Sequence, residues 1–86
     1  MTKGQIEHYL DNENRIGRWP KKQAEKLIIL GYLASKFKAN KVYHEREVNE
    51  TLKEWHTFND WAVLRRALVE FGYFDRNRDG TEYKLV

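Results

Sequence analysis

The clearest pattern in the chain lies late, where Trp61, Leu64, Leu68 and Phe71 recur at three- and four-residue spacings. That is the period of one helix face. Asn59 or Asp60 suits the cap before it, and Gly72 suits the stop after it. Setting those four residues inward leaves Ala62, Arg66, Val69 and Glu70 outward, with Arg65 at the edge.

A longer apolar pattern predicts an earlier helix from Pro20 to about Phe37. Proline at the first helical position costs no hydrogen bond. Ala24, Leu27, Ile28, Gly31, Ala34 and Phe37 form one side, and Ile29, Leu30, Tyr32 and Leu33 fill much of the rest. A helix apolar nearly all round must be covered on more than one side. Ile29 and Leu33 fall beside Lys22 and Lys26, away from the expected core stripe, and such a patch points to an interface. The expectation is a homodimer through this helix, with the amino-terminal segment as the other available cover.

Between these two, Val48, Leu52 and Trp55 place a helix over about 45–55. Glu45 and Glu47 fall in its first turn, where the helix dipole favours anions, while His44 is a poor cap. Val42 and Tyr43 read as a short extended piece. After Gly72 the pattern changes. Runs over 73–76 and 81–86 flank Asn77-Arg78-Asp79-Gly80, and Asp-Gly between aromatic-bearing runs signals a hairpin. Ile6, Tyr9 and Leu10 place a short docked helix in a polar lead-in over 1–14, and residues 11–17 read as a loop. The expected fold is therefore α+β and winged-helix-like. It has a three-helix core over 15–86, a C-terminal two-stranded β-hairpin and a short extra helix before it.

Eighty-six residues are room for one domain but not for a core plus an enclosed substrate cavity. The absence of cysteine removes thiol catalysis and thiolate metal sites and favours a reducing compartment. The first ten residues carry no leader-like apolar run, and the longest apolar stretch, 27–34, is too short to cross a bilayer. A cytoplasmic protein without membrane attachment is expected.

The net charge of +3 matters less than its placement. Arg15, Arg18, Lys21, Lys22, Lys26, Lys36, Lys38 and Lys41 stand against the single acid Glu25 in residues 15–41, a balance of +7. Residues 45–54 carry −2 and residues 57–72 carry zero.

The runs Arg18-Trp19-Pro20-Lys21-Lys22, Leu27-Ile28-Ile29-Leu30 and Tyr32-Leu33-Ala34 resemble the start of a bacterial domain-of-unknown-function family. Residues 43–49 resemble its central motif, and Leu64-Arg65-Arg66-Ala67-Leu68-Val69 and Gly80-Thr81-Glu82-Tyr83 resemble its closing motifs. The similarity spans about residues 12–86 in one register. His44 departs from it, standing where the pattern has Thr or Ser. Such domains occur alone or behind helix-turn-helix regulators, including arsenic-repressor-type ones. The resemblance implies a transcription-related setting and supplies no activity.

For nucleic acid, Arg15, Arg18, Lys21, Lys22 and Lys26 are candidate phosphate contacts, because each neutralised phosphate releases counterions. A solvated helix face and basic loop is the competing reading. Trp19 either stacks or is core. On the third helix only Arg66 is placed for bidentate guanine contact. Arg65 reads as structural, paired with a carboxylate such as Glu47. Arg78, at the hairpin turn, suits a minor groove or simple solvation. His8, His44 and His56 lack ligand-pair spacing, so no metal site is expected. No nucleophile motif or glycine-rich phosphate loop is present, and the carboxylates of the second helix have no cleft to shift them. The reading is a non-catalytic regulatory module without cofactor or small-molecule substrate. Its expected partner is DNA, bound mainly by the basic segment. The alternative is a protein–protein interaction or dimerisation module.

Overall fold

The computed structural model describes residues 6–86. Three helices and a three-stranded antiparallel sheet follow in the order α1 (Gln23–Ala34), β1 (Tyr43–His44), α2 (Glu45–Glu54), α3 (Trp61–Glu70), β2 (Phe74–Arg76) and β3 (Glu82–Leu85). The sheet order is β1-β3-β2. Tyr43 pairs with Tyr83 and Phe74 with Leu85. The expected hairpin is thus one part of a larger sheet, because the short piece at Tyr43 joins β3 from the other side. No helix among the described residues is long and apolar enough to cross a membrane.

Local chemistry explains where the helices start and stop. The Asp60 carboxylate accepts the Val63 N–H at 3.3 Å at the start of α3. At its end Gly72 takes φ 86°, and Gly72 and Tyr73 donate to the Val69 and Leu68 carbonyls. This pairing satisfies two otherwise orphaned C=O groups and needs a left-handed residue. At α2 the weak cap His44 is compensated by Glu47, whose side chain accepts the His44 N–H at 2.8 Å. This is one half of a capping box. It occupies the carboxylate expected to pair with Arg65.

α1 is shorter than its apolar pattern, and it presents a different face. It begins three residues after Pro20, which is buried upstream of the helix, and Phe37 lies beyond its end. Ile29, Leu30 and Leu33 are fully buried, whereas Ala24 and Leu27 are exposed. Ile29 and Leu33 therefore belong to the core and form no external patch, so the residues that motivated a dimer through α1 are not on the surface. The stripe of Ala24, Leu27 and Gly31 has little volume to bury, and the bulkier side chains face α3. Leu64 and Leu68 meet them there as expected, joined by Ala67, while Trp61 and Phe71 are only half-buried. Phe37 closes the sheet end of the core, with edge-to-face contacts to Tyr43 at 5.1 Å and Phe74 at 4.9 Å.

Glu7–Tyr9 form a 3-10 turn, and the earlier part of the expected short helix lies outside the described residues. The turn continues as a small clasp in which Leu10 bridges Ile16 and Ile16 bridges His56. Ile16 is completely buried. Its N–H donates to the Trp55 carbonyl at 2.7 Å, and its own carbonyl accepts the Thr57 N–H at 3.0 Å. His56 holds the same corner from inside. Its Nε2 accepts the Asp60 N–H at 2.9 Å, so Nδ1 carries the proton and donates to the Leu52 carbonyl at 2.6 Å. Both ring nitrogens are engaged in structure.

Candidate nucleic-acid interface

Strand alternation sets the first wall of the site. Phe74 and Arg76 lie on one face of β2 because successive residues alternate. Phe74 is buried in the core and Arg76 sits opposite the buried Tyr83. Arg76 therefore continues the inner face of the sheet past the point where the core ends. The adjoining turn holds its own shape. Asn77 Oδ1 accepts the Thr81 and Glu82 N–H groups at 2.9 and 3.1 Å, and Asp79 Oδ1 accepts the Thr81 hydroxyl at 2.7 Å. That hydroxyl bond foremost, and then the Thr81 N–H that Asp79 Oδ1 also accepts at 3.2 Å, hold the Asp79 carboxyl below its ordinary range. Gly80, at φ 75°, brings its backbone so close that an added Cβ would stand 3.1 Å from Arg76 Nη1.

The second wall is α3. Arg65 and Arg66, with Glu70 and Val69, face the hairpin across a cleft of about 390 Å³ that also reaches Glu45. Arg65 is structural, as the sequence suggests, with different partners. It donates to Asn49 Oδ1 and lies 3.6 Å from Glu45. Its buried Nε has no hydrogen-bond partner. Arg66 is exposed, and neither it nor Arg76 forms an ion pair among the described residues. A smaller concavity of about 230 Å³ adjoins the first, with Arg66 and Glu70 common to both, and it extends to Trp19 and Lys26.

The predicted phosphate contacts separate into distinct environments. Lys26 meets Arg66 at this smaller concavity, its ammonium 5.5 Å from the Trp19 ring centre. Trp19 is half-buried and packs on the core edge. Lys21 and Lys22 are exposed ahead of α1 and Arg78 is exposed at the hairpin tip. Arg15 is held in the clasp by Asp11 at 3.0 Å and Glu13 at 2.7 Å. The Arg15 backbone N–H is the largest influence lowering the Asp11 carboxyl below its ordinary range. Arg18 lies 5.0 Å over the Tyr9 ring, at a distance that allows cation–π attraction. Sequence reasoning missed Arg76 as a site residue. Its signal was present in the alternation Phe74-Asp75-Arg76 opposite a buried tyrosine.

A family described as an uncharacterized protein conserved in bacteria (DUF2087) matches residues 15–85. No curated protein and no solved structure matches the chain.

Proposed function

The chain belongs to this uncharacterised bacterial family, and from that premise we propose that it is a non-catalytic, winged-helix-type regulatory module that binds duplex DNA. Three features support this reading. The order helix, strand, helix, helix and two strands, with sheet order β1-β3-β2, is that of a winged helix. α3 then takes the position of a groove-entering helix and the turn at Arg78 that of the wing. The observation that carries the proposal is the position of Arg66. It stands on the exposed side of α3 between Lys26 of α1 and Arg76 of β2, so three elements each contribute a cation to one track, in which Glu70 is the intervening acid.

On this reading phosphate contacts from the track supply the affinity, and base discrimination rests on Arg66. The test is titration with random-sequence duplex at two salt concentrations. Binding is expected to weaken steeply with salt. Lys26→Ala should weaken all sequences alike and reduce the salt slope by about one, while Arg66→Ala should also reduce any sequence preference. Absence of binding at low salt would overturn the proposal in favour of the protein-interaction reading.

A further inference from the structure

We propose that the cleft between α3 and the β2–β3 hairpin is a seat for a small ligand bearing a phosphate-type oxyanion, bound by Arg66 and Arg76 with Arg65 behind them. This goes beyond the duplex reading, although the two share Arg66.

Three guanidinium groups from two elements line one cleft. Its volume of about 390 Å³ falls within the range of small-molecule sites. The planar fork of arginine matches phosphate oxygens bidentately. The carboxylates of the same lining are unequal competitors. Glu45 is opposite Arg65 at 3.6 Å, and Asp79 is bound within its own turn by Thr81. Glu70 is the remaining one, on the same wall as Arg66 and across the cleft from Arg76. By formal charge the lining balances, three guanidiniums against three carboxylates, and what sets Arg66 and Arg76 apart is that neither is in an ion pair among the described residues.

Arg65 is incompletely paired within the protein. Its side chain is 16% exposed, its Nε–H has no acceptor, and its approach to Glu45 is longer than a hydrogen bond. A buried donor without an acceptor is unfavourable, and an oxyanion in the cleft offers oxygens to a guanidinium whose partners here are one amide and one distant carboxylate. Gly80 leaves room beside Arg76, because a side chain there would crowd its guanidinium.

The experiment is an NMR titration of the 86-residue chain with inorganic phosphate, ionic strength being held constant with chloride. The side-chain Nε–H signals of Arg65, Arg66 and Arg76 are followed. Saturable shifts of all three are expected. Arg76→Gln should weaken binding by about tenfold, the loss of one charge-assisted contact, and Glu70→Gln should tighten it. Both positions are exposed, so an unchanged circular dichroism spectrum is the expected control. Linear shifts matched by chloride alone, or affinities indifferent to both substitutions, would overturn the inference. Duplex binding without saturable phosphate binding overturns this inference alone. Saturable phosphate binding without duplex binding overturns the DNA reading alone.

Discussion

His56 holds the corner between α2 and α3 with one buried and one partly buried hydrogen bond, and a side chain that cannot make both leaves a backbone group orphaned. His56→Ala should therefore cost about 1–3 kcal/mol for the group left unpaired, read as a lower urea midpoint with an unchanged slope. Asp79 couples the hairpin turn to pH. Its folded-state pKa is depressed, so its contribution to stability is present above the unfolded value of about 3.9 and is lost as pH falls through the folded one. Thr81→Ala removes the hydroxyl donor and should move the Asp79 carboxyl back up, as followed by its carbon chemical shift. An unmoved titration would show that the hydroxyl is not the cause. The same scale explains why the basic run of residues 15–41 was only partly readable. A linear count gives eight cations, but Arg15 is bound by carboxylates. Arg18, Lys26, Lys36 and Lys41 lie over aromatic rings, Lys36 between Tyr32 at 4.4 Å and Trp55 at 4.0 Å. Tyr43 and Tyr32 are near neighbours of their cations in sequence and Trp55 is not, but a count of charge registers none of these rings.

At the scale of elements, legibility followed the contrast between faces. α3 has one apolar face, and its limits and its buried leucines were readable. Leu64→Ala should cost about 2–5 kcal/mol as a cavity in a packed core, and a loss below about 1 kcal/mol would contradict that burial. α2 was equally plain. α1 is apolar on nearly every side, so periodicity admitted two solutions, and counting Ala24 and Gly31 as core favoured the wrong one. The two solutions can be separated by mutation. Leu30→Ala should destabilise by about 2–5 kcal/mol, whereas Leu27→Ala should cost far less because Leu27 is 37% exposed. Equal losses would refute the observed face. β1 was visible only as an extended piece. Two residues carry no periodicity, and their partner β3 lies near the other end of the chain.

For the whole molecule, the core does not stop at the family's matched boundary at residue 15. Tyr9 is 8% exposed and joins the same cluster as Leu30 and Leu68. Asp11 clasps Arg15 by side chain and by backbone. A chain beginning at residue 15 should consequently melt at a lower temperature than the full one, and an equal melting temperature would show the clasp to be dispensable. Ile16 was placed in a loop because an isolated apolar residue between polar neighbours has no period to reveal it. Its burial depends on a partner on the far side of the sequence.

The Ile16 bridge also has a kinetic consequence. Thr57 bonds Ile16 across 41 residues, so this seam closes only after a large loop has formed, and loop closure grows costlier with length. Its contacts are non-local, and such contacts slow folding relative to local helix formation. In deuterated water the amides of Ile16 and Thr57 should exchange together, because releasing the segment exposes both in one event. A shared protection factor would make this short seam a timer for the opening of the whole amino-terminal clasp.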